Sequence, residues 1–311
     1  MLVALGVALL AAGSLAPTPE ERAIAYLARE VPAWRRDNGC YSCHNNGDAA
    51  RALYVARRLG WHVPGDALRG TTDWLARPSG WENNRGDPRF SDKKLARLQF
   101  AAALAEATDA GLVGSRAALG DAAGRLAREQ EPDGCWQVEA EAGPGSPVTY
   151  GSALATALAR DVLRRADSRR FRDAIRKAED CLAVQPLASV TGAAAVGLAL
   201  RDRGDAPARR KVADSLELIR QAQASDGGWG PVPGQPAEPF DTAVALLALS
   251  RNHVPLTSQF ARGRDWLVRA QLPDGGWPAT TRPPGGQSYA QHVSTSGWAA
   301  LALLATRDVE R

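Results

Sequence analysis

Polar and apolar residues along this chain alternate between two helical textures. Stretches such as Ser168–Leu182 and Ala206–Gln223 place apolar side chains at three- and four-residue intervals and fill the opposite face with Arg, Asp and Glu. That is the pattern of a helix buried on one side. Between such stretches lie Asp48–Leu59, Lys93–Thr108, Gly151–Arg164, Thr191–Arg201, Thr242–Ser250 and Ser296–Thr306, rich in Ala, Leu and Gly. Ala243 to Leu249 is apolar without interruption, so this second kind of helix is predicted to be buried on most faces. No run of β-branched alternation argues for a sheet.

The joints between the two kinds repeat. Arg125-Leu126 leads through Gln130 to Asp133-Gly134-Cys135-Trp136, Ile219 through Gln223 to Asp226-Gly227-Gly228-Trp229, and Trp266-Leu267 through Gln271 to Asp274-Gly275-Gly276-Trp277. Glycine supplies the left-handed residue that ends a helix, and Asp bonds the turn backbone. Gln and Trp, on the two sides of the turn, are expected to stack and pin it. Weaker copies start at Tyr26-Leu27, Trp74-Leu75 and Cys181-Leu182, spaced at the roughly fifty-residue scale of a helix pair. The pattern predicts an all-α fold, an α/α toroid of six helical hairpins with inner and outer helix rings. An open superhelix of helix pairs is the competing arrangement.

The Gln-x-x-Asp-Gly-x-Trp turns at Gln130, Gln223 and Gln271 resemble the QW repeats of squalene–hopene cyclases and of the related prenyltransferase beta-subunit toroids. The resemblance covers nearly the whole chain after the N-terminus and implies the toroid fold, with isoprenoid chains handled in the ring cavity. It implies less about chemistry. Those cyclases protonate their substrate with the middle Asp of an Asp-x-Asp-Asp motif, which this sequence lacks, so an active terpene cyclase is not expected. The prenyltransferases bind zinc through an Asp-x-Cys pair and a distant His, and Asp180-Cys181 lacks that spacing.

Composition adds constraints. The 311 residues are 45% hydrophobic and 23% charged with a net charge of +4, which excludes a disordered chain and does not call for nucleic acid. Residues 1–16 read as a signal peptide: Leu2 to Leu15 is nearly all apolar, too short to span a bilayer, with small residues before a cleavage point near Ala16. A hydrophobic first helix packed on the domain is the alternative. The expectation is a periplasmic or secreted protein whose single toroid domain is residues 17–311.

Cys40-Tyr41-Ser42-Cys43-His44 is the attachment signature of c-type haem. Two thiols add to the haem vinyl groups and the adjacent imidazole ligates the iron. Export strengthens this reading. A structural disulfide between Cys40 and Cys43, a redox dithiol and a zinc site are the alternatives. Met1 is the single methionine, so the sixth iron ligand is assigned to His292, before the sixth inner helix at the same end of the ring. A five-coordinate or water-ligated iron is the alternative. His62 and His253 fall at the opposite end.

The sequence therefore predicts covalent haem c and its iron at the ring mouth, and electron transfer or haem-dependent oxidoreductase chemistry with a redox partner or a small hydrophobic ligand in the cavity. The alternative is a terpene cyclase- or prenyltransferase-like enzyme, or an isoprenoid- or lipid-binding toroid, without haem. Cys135 and Cys181 read as buried inert thiols, with a bridge as the alternative, Asp241 as a helix cap rather than a catalytic acid, and the loops Gly230–Pro239 and Pro283–Gly286 as covers at the mouth. Arg164, Arg165, Arg169, Arg170, Arg172, Arg176 and Lys177 form a basic face on repeat four that reads as a solvated surface, the alternative being docking to an acidic partner or to the headgroups of an anionic membrane.

Overall fold

The computed structural model describes residues 16–84, 93–138, 143–254, 258–282 and 287–307. The apolar stretch Leu2–Leu15 and the loop Pro283–Gly286 lie outside the described residues.

Helices alternate between an outer and an inner ring. The outer helices are α1 (Pro19–Asn38), α3 (Gly65–Leu75), α5 (Ala117–Arg128), α7 (Arg172–Val184), α9 (Ala206–Gln221) and α11 (Ser258–Arg269); the inner ones are α2 (Ala50–Arg58), α4 (Lys93–Asp109), α6 (Ser152–Asp167), α8 (Val190–Leu200), α10 (Pro239–Arg251) and α12 (Tyr289–Ala305). Each inner helix packs on the next, and α12 packs back on α2 and on the turn before it, so the ring closes. No helix among the described residues is long and apolar enough to cross a membrane.

The repeated turns do the joining, through hydrogen bonds rather than through the expected stacking. The Gln130 amide donates to Gly134 O in its own turn and to Ala174 O on α7. Gln223 likewise donates to Gly227 O and Gln259 O of α11, and Gln271 to Gly275 O and Pro19 O of α1. One side chain thus fastens its own turn to the following outer helix, and the last copy fastens the end of the chain to its beginning. Each tryptophan indole donates to the carbonyl ten residues before it: Trp136 to Leu126 O, Trp229 to Ile219 O and Trp277 to Leu267 O. The turn glycines have φ values of +89°, +103° and +98° at Gly134, Gly227 and Gly275. A Cβ at Gly134 or Gly275 would lie 2.3 Å from a backbone oxygen of the next outer helix, so glycine here answers both to conformation and to close approach.

Three departures from the sequence reading matter. The first inner element begins at Cys43 rather than Asp48, as a π-helical stretch Cys43–Ala49 that runs into α2. Helix α12 begins at Tyr289, two turns earlier than expected, behind a capping box of Ser288 and Gln291; His292 is therefore inside the helix. Cys135 and Cys181 are not separate thiols but a disulfide. It ties the third repeated turn to α7 across 46 residues of sequence. Cys181→Ala is expected to cost about 2–5 kcal/mol, measured by denaturant unfolding; an unchanged midpoint would contradict a stabilising bond.

The far end of the ring is charged. Arg165 pairs with Glu106, Asp109 and Asp161, and Arg164 with Asp161 and Asp202. These two arginines of the basic cluster are thus internally matched. Arg169, Arg170, Arg172, Arg176 and Lys177 lie at the exposed start of α7 and just before it.

Candidate active site

At the opposite end, the mouth, the inner helices start, and almost every one contributes a polar side chain to a layer below the surface. Asp48 comes from the π-helical stretch, Gln99 from α4, Thr191 from α8, Asp241 from α10 and Ser294 from α12, with Tyr150 just before α6. All are buried, and they gather around two carboxylates.

Asp48 is the first centre. It accepts hydrogen bonds from Gln99 Nε2 (2.8 Å), Ser294 Oγ (2.7 Å) and the Tyr150 hydroxyl. Gly297 permits this convergence: a Cβ there would lie 2.9 Å from the Asp48 backbone. Arg51, one turn on, stacks 4.2 Å over the Trp298 ring. Burial pushes the Asp48 carboxyl up to about 6 against the opposing pull of Arg51 and the three donors, so it is ionised at neutral pH. Tyr150 is driven well above its ordinary value by burial and by Asp48.

Asp241 is the second centre, and it is not the helix cap expected from sequence, since Glu238 occupies that position. Its carboxylate accepts from Thr191 Oγ1 (3.0 Å) and from Arg282 Nη1 (2.8 Å) and Nη2 (3.1 Å). Arg282 also donates to Glu238 Oε2 (2.6 Å) and to Gly145 O (2.8 Å). Burial, assisted by the neighbouring Asp241 charge, pushes Glu238 up to about 7 against the pull of Arg282. Burial favours the protonated form of both acids. Phe240, between the two acids in sequence, meets the Trp298 ring edge-on at 5.6 Å, and Tyr150 meets it at 5.5 Å.

Cys40, Cys43, His44 and His292, assigned to haem from the sequence, each have neighbours of their own. Cys40 is buried and its Sγ accepts the Trp34 indole N–H at 3.3 Å. His44 Nδ1 lies 2.9 Å from Ser294 Oγ, and its Nε2 lies 3.6 Å from Cys43 Sγ. His292 stacks on Tyr26 with ring centroids 5.7 Å apart. Its Nε2 is buried without a hydrogen-bond partner, against the Gly276 turn. His62 and His253 follow the C-terminal ends of α2 and α10, at the far end as expected.

His44 and Asp48 have opposite effects on stability in acid. Asp48, raised from 3.8 to about 6, contributes stability that is complete below about pH 4 and is lost as pH rises through 6. Burial holds His44 down from 6.5 to about 4, so its contribution is complete above about pH 6.5 and is lost as pH falls through 4. The two largely offset one another in this window. In Asp48→Asn the melting temperature is expected to fall on acidification from pH 6.5 to 4, and in His44→Asn to rise. Parallel slopes in a pH series of thermal melts would refute the assignment.

No protein-family model matches the chain. It is 32% identical over 151 residues to a drimenyl diphosphate synthase of Streptomyces showdoensis, a match covering 44% of this chain and 27% of that enzyme. Among solved structures, the type II terpene cyclase MstE from Scytonema superposes with a TM-score of 0.58 at 13% identity, over 94% of this chain and 99% of that one. The ent-copalyl diphosphate synthase from Streptomyces platensis gives 0.54 at 20% identity, over 93% of this chain and 56% of that one. The fold is the α/α toroid of the terpene cyclases.

Covalent haem, its iron and the electron-transfer role do not stand. The relatives are terpene cyclases and synthases. His44 lies against Ser294 Oγ and Cys43 Sγ, and His292 stacks on Tyr26. Among the described residues no group of three or more His, Cys, Asp or Glu side chains could hold a metal ion.

Sequence reading missed Asp48, Gln99, Tyr150, Glu238, Ser294 and Arg282. A signal was available for some of them: single polar residues interrupt otherwise apolar inner helices, and Arg282 is a lone charge in a Pro- and Gly-rich loop.

Proposed function

We propose that this chain is a terpene-cyclase-like toroid that protonates an isoprenoid substrate at the ring mouth, with Glu238 as the proton donor and Asp241 and Arg282 as its supports. The observation that carries the reading is the Arg282 guanidinium clamped between the Glu238 and Asp241 carboxylates at the start of α10, where burial and the Asp241 charge push the Glu238 carboxyl up to about 7. The fold shared with terpene cyclases and the partial match to a drimenyl diphosphate synthase favour an isoprenoid as the substrate.

The order Glu238-Pro239-Phe240-Asp241 keeps acids at the first and last places of an Asp-x-Asp-Asp arrangement and puts Phe240 where the cyclases carry their protonating acid. The proton must then come from Glu238. In the proposed step the Glu238 O–H bond breaks and a C–H bond forms at a substrate alkene. The carboxylate left behind is stabilised by Arg282, and the cationic chain folds against aromatic faces before losing a proton. The Cys135–Cys181 disulfide fits an oxidising compartment, which supports the reading of export.

Phe240 also favours a second reading, an isoprenoid-binding toroid without turnover. Incubation with geranylgeranyl diphosphate and with squalene, followed by product analysis, separates the two. The first reading predicts a cyclised product; binding with no product supports the second.

A further inference from the structure

We propose that the start of α4 and the short 3₁₀ helix Pro78–Asn83 enclose a binding site for a phosphate group, with the Trp81 indole N–H and the Lys93 ammonium as its two contacts. The inference does not rest on the isoprenoid reading, and the site shares no residue with either carboxylate cluster.

The first observation is a departure from the repeat. Trp136, Trp229 and Trp277 each donate the indole N–H to the carbonyl ten residues earlier, at Leu126, Ile219 and Leu267. In the weaker copy that starts at Trp74-Leu75, the tryptophan is Trp81, only six residues after Leu75. The shortened joint winds into the 3₁₀ helix, and the indole does not return to the Leu75 carbonyl. Trp81 Nε1 is left without a hydrogen-bond partner among the described residues, on a side chain only 6% exposed. Its ring is fixed between Trp74 at 6.0 Å and Phe100 at 5.6 Å. A buried N–H without an acceptor is costly, and such groups in a folded protein are normally matched.

The second observation is space at the same side chain. Trp81, Lys93, Arg97 and Phe100 line a cavity of about 70 Å³. That is room for roughly five waters, or for one phosphate group, and far below the roughly 300 Å³ at which pockets begin to enclose larger ligands.

The third is charge. Helix α4 opens with Lys93-Lys94 and has no acid in its first turn, although the start of a helix favours negative charge. Lys94 is matched by Glu131 at 2.7 Å, and Arg97 by Glu82 at 2.9 Å and Glu129 at 2.5 Å. Lys93 is exposed and has no acidic partner among the described residues. Asn84, also in the lining, spends its amide on both backbone groups of Tyr41. What remains unmatched is one N–H and one ammonium, both donors, so the occupant must be an acceptor and an anion. The Trp81 and Phe100 faces would suit a cation, but Lys93 and Arg97 beside them exclude one.

The test uses the full chain with inorganic phosphate, inorganic diphosphate and geranyl diphosphate as probes, at ionic strength held constant with sodium chloride. Binding is measured by calorimetry, and the indole N–H resonances are followed by NMR, with Trp81→Phe identifying the Trp81 signal. The expected result is saturable binding that moves the Trp81 resonance. Trp81→Phe, which keeps the ring and removes the N–H, and Lys93→Gln should each weaken it about tenfold or more. Equal binding of inorganic and geranyl diphosphate assigns the site to a free anion. Tighter binding of geranyl diphosphate, still weakened by both variants, assigns it to the end group of a prenyl substrate. A Trp81 resonance unmoved by all three probes, as when the cavity holds water alone, overturns the proposal, and so does binding unchanged in both variants. Lys93 is exposed, so Lys93→Gln keeps the test open even if Trp81→Phe disturbs the aromatic packing.

Discussion

Glu238→Gln is expected to reduce conversion of an isoprenoid substrate by about 10²–10⁴-fold while leaving the fold intact. The amide keeps the shape and can still meet Arg282, but it has no acidic proton to give. Glu238 holds its proton up to about pH 7, so wild-type turnover should be steady below that value and fall as pH rises through it. Asp241→Asn has a different signature. Removing the buried charge that helps raise Glu238 leaves Arg282 to draw the Glu238 carboxyl downward, so the falling limb should move to lower pH with turnover retained in acid. A pH–rate profile of the three proteins checks both statements. If Glu238→Gln turns over like the wild type, the proton comes from elsewhere.

The second large effect concerns ring closure. Arg264 of α11 donates to Glu20 of α1 at 2.5 Å, to Leu303 O at 3.0 Å and to Thr306 Oγ1 at 3.0 Å at the end of α12. Both charged side chains are nearly fully buried, at 5% and 4% exposure. Glu20→Ala removes the carboxylate that lies 2.5 Å from the buried guanidinium and is expected to cost about 3–5 kcal/mol. At roughly 2–4 °C per kcal/mol, the loss appears as a melting temperature lower by about 10 °C. The double variant Glu20→Leu/Arg264→Met removes both charges and should recover much of that loss. If the double variant melts below the single one, the pair does more than neutralise itself.

The ring was legible in the sequence because its joints are local. Gln, Asp-Gly and Trp lie within seven residues of one another, and their bonds reach the same turn and the following helix. The mouth clusters were not legible, because residues 48, 99, 150 and 294 come from four separate parts of the chain and only ring closure brings them together. The Cys135–Cys181 bond, the lesser alternative in the sequence, joins one repeated turn to the next outer helix across 46 residues. The haem motif misled because its residues are adjacent in sequence while their partners are not. The π-helical winding from Cys43 carries His44 toward α12, where Ser294 takes Nδ1. Asp241 was seen, but as a cap. Its real partner, Arg282, arrives from a loop 41 residues away.

The central claim is proton transfer from Glu238 to an isoprenoid alkene, and its most direct measurement is turnover of geranylgeranyl diphosphate or squalene in deuterium oxide. Acid initiation predicts a cyclised product carrying one solvent deuterium on carbon, absent from the Glu238→Gln reaction. A product free of deuterium, or the same labelled product from Glu238→Gln, would contradict it.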